Sequence, residues 1–218
     1  MENPFKYGGI VRGPYFADRK NEIKELKREM VNLNRVFLIS PRRFGKTCLL
    51  LKLIEMLKRN GMACAYIDLN AFPDIRSFAS ALTALTAGAL ETNKDKLLKM
   101  FAGLQKLRPK VSVDLNGKIS AGVELAVEEK DALAALLEGM RNAEKLAGRK
   151  KKRLVVIIDE FSDLEKYNGQ ATEKAIRSEI QKQIHIGYIF SGSEQSVMLS
   201  MIRDRNRAFY KLGRIMEL

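Results

Sequence analysis

The chain has 218 residues, 46% of them hydrophobic, with 39 Lys and Arg against 26 Asp and Glu for a formal net charge of +13. That length and apolar share suffice for the core of one large or two small domains, which excludes global disorder. The longest run without a charge, 77–90, has 14 residues and includes Ser, Thr and Gly, too few apolar positions to span a bilayer, and the N-terminal MENPFKYGG has no apolar signal core. Two cysteines (Cys48 and Cys64) and one histidine (His185) offer no zinc spacing, disulfide framework or Ser–His–Asp triad, so a reduced, cytoplasmic setting without membrane contact is expected.

Taken in chain order, 21–32 (NEIKELKREMVN) places Ile23, Leu26 and Met30, followed by Leu33, at helical spacing, with Asp18 or Asn21 as the cap. Residues 35–40 (RVFLIS) predict a fully buried strand. After a break at 41–45, 46–60 predict a helix closed by Lys58, Arg59 and Gly61 in the C′ position. A second strand is expected at 62–69. Residues 74–107 read as helical, broken near Gly88 or Asn93 and again at Gly103. The 111–125 segment alternates on both sides of Asn116-Gly117, the signal for a hairpin with a type I′ turn. A helix at 130–146, a buried strand at 153–159 (RLVVIID), a helix at 172–183, a strand at 186–191 (IGYIFS), a short helix at 196–202 and a last strand near 215–218 complete the chain. Alternating strands and helices predict an α/β domain with a largely parallel sheet and the hairpin as an insertion.

The first strand runs into Ser40-Pro41-Arg42-Arg43-Phe44-Gly45-Lys46-Thr47 and then a helix. This follows the phosphate-loop pattern G-x-x-x-x-G-K-[ST], with Ser40 where the first Gly belongs. Gly45 lets the backbone approach a phosphate, and the N–H groups of 41–48, through Cys48, attract the anion at the helix N-terminus. Lys46 would reach the β- and γ-phosphates and Thr47 would hold Mg²⁺. A plain strand–turn–helix capped by Thr47 would account for the G-K-T alone. Placement between an apolar strand and a helix, together with a second motif, favours the phosphate reading. That second motif is LVVIIDE (154–160): an apolar strand ending in Asp159, a Mg²⁺ ligand through water, and Glu160, which would polarise the attacking water. Adjacent acids point to ATP rather than GTP hydrolysis, and the guanine-reading N-K-x-D is absent: 93–96 is NKDK.

With these motifs the chain resembles the AAA+/STAND class of P-loop ATPases, most closely the archaeal-type ATPase family. The resemblance rests on FADRKNEI (16–23), PRRFGKT (41–47), IIDEF (157–161), YIFSGSEQSVM (188–198), the hairpin insertion and NRAFY (206–210). It implies a three-layer sandwich whose five-stranded parallel sheet runs 5-1-4-3-2, numbering the strands at 35–40, 62–69, 153–159, 186–191 and 214–218 in chain order, with ATP at their C-terminal ends. It implies one ATPase core domain over 1–218. Residues 1–34 would lie on the adenine side, with Phe16 and Arg19 near the base, and 93–130 would form a helical and hairpin insertion. Ser191 or Ser193, the latter preferred, would contact the γ-phosphate or the attacking water. Family members continue into a helical lid, often with a winged helix. This chain ends at the fifth strand, so a Mg²⁺-dependent ATPase core driving a conformational or assembly switch, with weak turnover alone, is the expected function.

The positive charge is local: 94–110 carries +5, 141–153 carries +6 and 203–214 carries +4, and the remainder is slightly acidic. Arg203, Arg205 or Arg207 would serve as an arginine finger on a neighbouring subunit or form a solvated face. Arg207 leads because it adjoins the family-like AFY, and Arg177 is a further candidate. Arg42 and Arg43 would meet phosphate, a neighbour or solvent. The RKKKR run at 149–153 suits a nucleic-acid patch or a solvated linker, and it lacks interleaved aromatics. The 94–110 stripe reads as solvent-facing, Asp68 as a turn cap or distant metal partner, and His185 as structural. Two other function classes fit the pattern: a nucleotide-gated DNA- or RNA-binding module, and a non-hydrolysing scaffold that self-associates or binds a protein partner.

Overall fold

The computed structural model describes residues 19–91, 107–113, 119–125 and 132–218. Its strands are β1 (Arg35–Ile39), β2 (Ala63–Asp68), β3 (Leu107–Val113), β4 (Ile119–Leu125), β5 (Leu154–Asp159), β6 (Ile186–Gly192) and β7 (Arg214–Glu217). Its α-helices are α1 (Lys20–Val31), α2 (Lys46–Arg59), α3 (Ile75–Leu90), α4 (Ala132–Lys150), α5 (Gly169–Ile180) and α6 (Gln195–Arg203), and single 3₁₀ segments follow β2 and β5.

Five strands form an all-parallel sheet in the order β2-β5-β6-β1-β7, the expected 5-1-4-3-2 read from the other edge. A parallel sheet with both faces covered needs apolar residues at every position. The strands β5 and β6 are accordingly buried throughout. Val36, Leu38, Val155 and Ile157 pack under α1 and α2 with Leu26, Met30, Leu50 and Leu53. Phe37, Ile39, Val156 and Ile158 face the other way, into a core built with α3, α4, α5 and α6. These are the three layers the family resemblance implies.

The α3 helix runs through Gly88 and ends at Leu90, within the break expected near Gly88 or Asn93; Phe78, Leu82 and Leu90 anchor one buried face that outweighs the modest cost of an interior glycine. The expected break at Gly103 lies outside the described residues, and Leu107 is already strand. Other boundaries differ from expectation for packing reasons. The hairpin forms with Val111 opposite Ala121 but starts at Leu107. Pro109 is tolerated there because both strands of a two-stranded sheet are edges. The Asn116-Gly117 turn lies outside the described residues.

The α4 helix extends four residues past the expected end because Ala143 and Ala147 continue its buried stripe. Arg149 and Lys150 therefore sit in its last turn, where cations suit the helix dipole, rather than in a linker. Lys151 then turns left-handed (φ 51°), and the Lys152 N–H closes back onto the Ala147 carbonyl at 3.0 Å. The α5 helix starts earlier than expected, after the left-handed Asn168, and ends at Ile180. The α1 helix has Arg19 at its cap position without a side-chain capping bond, so Asn21 does not cap it; Asp18 lies outside the described residues. Close approach of α3 and α4 depends on Gly139, where a Cβ would come within 2.3 Å of Thr83 Oγ1.

Candidate functional site

The C-terminal ends of β1, β5 and β6 converge on one cluster. After β1, Ser40 is fully buried, donates its N–H to the Gly192 carbonyl at 3.3 Å and turns its hydroxyl to the Pro41 carbonyl at 3.2 Å. Ser40 is not among the positive-φ residues, so a side chain fits where the pattern has glycine. Left-handed conformations occur later in the loop, at Arg43 (φ 66°) and Gly45 (φ 78°). A Cβ on Gly45 would meet no atom within 4 Å, so its left-handed φ and the open space beside it, rather than crowding, explain the glycine. Gly45 caps α2 without a side-chain hydrogen bond. The N–H groups of Lys46 and Thr47 have no partner within the helix, the arrangement that suits an anion.

Lys46 reaches both acids at the end of β5. Its Nζ lies 2.9 Å from Asp159 Oδ1 and 2.9 Å from Glu160 Oε1, and only 6% of the side chain is exposed. Asp159 Oδ1 also accepts from Ser191 Oγ at 2.5 Å and from the Glu160 N–H at 3.0 Å. Asp159 Oδ2 accepts from Tyr66 Oη at 2.8 Å and Thr47 Oγ1 at 3.4 Å. Glu160 Oε2 accepts from both the N–H (3.1 Å) and the hydroxyl (2.9 Å) of Ser193. Arg42 extends the network by donating to Ser193 Oγ at 3.4 Å and pairing with Glu194 at 3.6 Å.

Charge balance follows from this packing. Burial pushes the Asp159 carboxyl upward, but the Lys46 ammonium and the Ser191 and Tyr66 hydroxyls outweigh it and hold the group below the ordinary carboxylate range. Burial, reinforced by the negative Asp159, raises the Tyr66 phenol, which stays a protonated donor. Burial also raises Asp68, despite its bond from the Asn70 N–H at 3.1 Å, and that bond makes it the turn cap of the 3₁₀ segment Leu69–Ala71. Among the described residues no group of three or more His, Cys, Asp or Glu side chains forms a metal cage. The one hydroxyl and one carboxylate at Thr47 and Asp159 suit Mg²⁺, which keeps several waters and borrows phosphate oxygens.

The other sequence candidates divide clearly. Arg19 joins the loop by donating to the Phe44 carbonyl at 3.2 Å while pairing with Glu22; Phe16 lies outside the described residues. Phe44 is 52% exposed, Arg43 is exposed, and Cys48 is half-buried in the first turn of α2. His185 Nδ1 meets Glu144 Oε1 at 2.6 Å, a structural contact.

Arg207 departs from the finger reading. It is only 11% exposed and its guanidinium is committed to Glu165 at 2.7 Å and to the fully buried Glu173. These carboxylates hold its protonated form far above the usual range, Glu173 first. Arg177 likewise turns inward, onto the Ala208 and Tyr210 carbonyls, and Arg203 pairs with Glu217 at 3.1 Å. Arg205 remains exposed beside them. In the 141–153 segment, Arg141 pairs with Glu179 and Lys150 with Glu91, while Lys152 and Arg153 donate to the Leu90 and Val31 carbonyls.

Sequence reasoning missed Tyr66. No local motif marks it, because its contact depends on the parallel register that sets Asp68 opposite Asp159.

The chain matches a family described as an ATPase domain predominantly from Archaea, over residues 16–216. Among solved structures it is similar to a Walker-type ATPase of Pyrococcus abyssi, with TM-score 0.61 and 16% identity, covering 99% of this chain and 57% of that one. The ORC2 protein of Aeropyrum pernix, solved as ADPNP and ADP complexes, gives TM-score 0.59 at 15% identity over 99% of this chain and 50% of that one. The ORC1 protein of Aeropyrum pernix in complex with DNA gives 0.54 at 16% identity over 94% and 46%. At these identities the likeness is one of fold, and this chain spans about half the length of those proteins. No curated protein matches the chain. Among the described residues no helix is long and apolar enough to cross a membrane.

Proposed function

Because the chain belongs to the ATPase domain family found predominantly in Archaea, we propose that it is a Mg²⁺-dependent ATPase core that couples ATP hydrolysis to a change of conformation or assembly. The observation that carries this reading is the position of Lys46, 2.9 Å from each of two adjacent carboxylates at the mouth of a glycine-capped helix.

In this reading the amides from Pro41 to Cys48 cradle the phosphates, and Lys46 leaves the carboxylates for the β- and γ-phosphates. Thr47 would hold Mg²⁺ directly and Asp159 through water, and the ion would supply charge stabilisation to the phosphate oxygens when bound. Glu160 accepts a proton from the attacking water, and Ser193, which holds one Glu160 oxygen through two bonds, keeps the carboxylate aimed. Phe16 and Arg19 belong to the adenine side; the Arg19 contact with the Phe44 carbonyl supports placing that segment beside the loop.

A nucleic-acid module using 141–153 is the weaker reading, although one fold neighbour is solved with DNA. Four of that segment's cations already bond within the chain, at Glu179, Glu91 and two carbonyls. An unhydrolysing scaffold would not need Glu160 to be held by Ser193.

Thermal melting with and without Mg-ATP tests the proposal. At a hundredfold excess over Kd, binding stabilises by about 2.7 kcal/mol, a rise of about 5–11 °C for a chain of this size. Lys46→Met should show no rise above its own ligand-free midpoint. A wild type that does not respond to Mg-ATP, or a variant that responds equally, would sink the proposal.

A further inference from the structure

Asp159 is held unequally at its two oxygens. Oδ1 is fixed by Ser191, by the Glu160 N–H and by Lys46. Oδ2, the oxygen that faces Thr47, has Tyr66 as its one close donor, at 2.8 Å against 3.4 Å for Thr47. The sheet explains how Tyr66 arrives there. In the parallel β2–β5 pair, Tyr66 lies opposite Ile157 and Asp68 opposite Asp159. Side chains alternate along a strand, so Tyr66, Ile157 and Asp159 share the face that α2 covers. The phenol spans the diagonal from Tyr66 to Asp159 and meets the oxygen that also accepts from Thr47.

We infer that Tyr66 is a positioning residue for the metal: its hydroxyl fixes the Asp159 oxygen nearest Thr47 and so sets the site's affinity for the divalent cation. The inference rests on the reading above that Thr47 and Asp159 hold Mg²⁺. When Lys46 moves to phosphate, Oδ1 keeps Ser191 and the backbone N–H, but Oδ2 keeps only Tyr66 to orient it toward a cation. Without that bond the oxygen facing Thr47 is left to the cation alone. Groups that orient a ligating carboxylate typically contribute 10–100-fold in metal affinity. The Tyr66 hydroxyl bonds the Asp159 carboxylate and not a loop amide, so nucleotide affinity without metal should not depend on it.

The test uses the full chain and Mn²⁺ as the spectroscopic probe. Free Mn²⁺ is followed by electron paramagnetic resonance during titration into protein with ATP, and ATP binding is measured separately in EDTA. Tyr66→Phe should weaken Mn²⁺ binding in the ATP complex about 10-fold or more and leave ATP binding in EDTA unchanged, which also certifies that the variant is folded. Asp159→Asn serves as the reference and should weaken Mn²⁺ binding at least as much, after subtraction of the Mn²⁺ that ATP binds without protein. If Asp159→Asn weakens Mn²⁺ binding but Tyr66→Phe binds it as the wild type does, the role of Tyr66 is wrong. The same follows if Tyr66→Phe loses ATP in EDTA together with the metal, because that marks a general packing defect. If Asp159→Asn keeps wild-type Mn²⁺ affinity, the underlying placement of the metal is wrong and the inference falls with it.

Discussion

Replacing Lys46 with methionine keeps an unbranched side chain, one atom shorter, and removes its charge from between two acids. Each Nζ–oxygen distance is 2.9 Å, which at an effective dielectric constant of about 20 corresponds to roughly 6 kcal/mol of attraction per contact. Desolvation of the three groups and the mutual repulsion of the carboxylates offset most of it. What the substitution exposes is the cost of a buried carboxylate without its partner, about 3–5 kcal/mol. Glu160 keeps 23% of its side chain exposed and can turn to water, whereas Asp159 at 3% cannot. The lower end, about 3 kcal/mol, is therefore expected, a fall in melting temperature of about 6–12 °C.

The pH dependence follows from Asp159. In the wild type its folded value is lowered. Its contribution is thus present above the unfolded carboxyl value of about 3.9 and is lost as the pH falls through the folded value. In Lys46→Met the burial effect is no longer outweighed by the ammonium, so the folded carboxyl rises above its unfolded value. The folded variant then retains a proton that the unfolded chain releases, and its stability declines as the pH rises through that window. The gap between wild type and variant should be wide near neutrality and narrow toward about pH 4. Thermal melts in EDTA without nucleotide, from acid to neutral pH, measure it. A gap that stays constant with pH, or a variant as stable as wild type at neutrality, would refute the coupling of Lys46 to Asp159.

Glu160→Gln should lower the single-turnover rate of ATP hydrolysis by about 10²–10⁴ while keeping the thermal response to Mg-ATP; an unchanged rate removes Glu160 as the proton acceptor. Arg207→Ala leaves Glu173, with no exposed side-chain surface, without its counter-ion, and should cost about 3–5 kcal/mol. A variant that melts like wild type but loses single-turnover activity would instead restore Arg207 as a finger.

The parts of this site that could be read directly are those whose chemistry is local in the chain. Lys46 and Thr47 follow a buried strand within a few residues, and Asp159 and Glu160 end another. A parallel strand covered on both faces appears as an uninterrupted apolar run, which is why β1 and β5 stand out. Tyr66 was not legible because 93 residues separate it from Asp159 and only strand register joins them. The ion pairs of Arg207 were not legible for a related reason. Its own neighbourhood is a basic cluster, while the carboxylates that bind it lie 34 and 42 residues earlier. Charge counted along the chain detects the first and not the second. A helix end was misplaced where burial overrode propensity, along α4.

One local conformation decides whether the two acids can act together. Successive side chains of a strand point to opposite faces, so Asp159 and Glu160 on a continued β5 would lie on different sides of the sheet. Both nevertheless reach the same ammonium. The chain achieves this by leaving the strand at Asp159 and turning Glu160 left-handed, at φ 49° and ψ 45°. Such a backbone costs a non-glycine residue on the order of 1–3 kcal/mol and persists only where the surroundings hold it. Three constraints do so here. The Glu160 carbonyl accepts the Asp163 N–H at 2.9 Å, which starts the 3₁₀ segment. Ser193, the residue after β6, holds the carboxylate. Phe161, the next residue, is fully buried against Phe190 and Phe209, with ring centroids 4.5 and 5.2 Å away. The aromatic residue after the acids is therefore part of the site's construction. It anchors the turn that brings the Asp159 and Glu160 carboxylates to the same ammonium, beside the loop at 40–47.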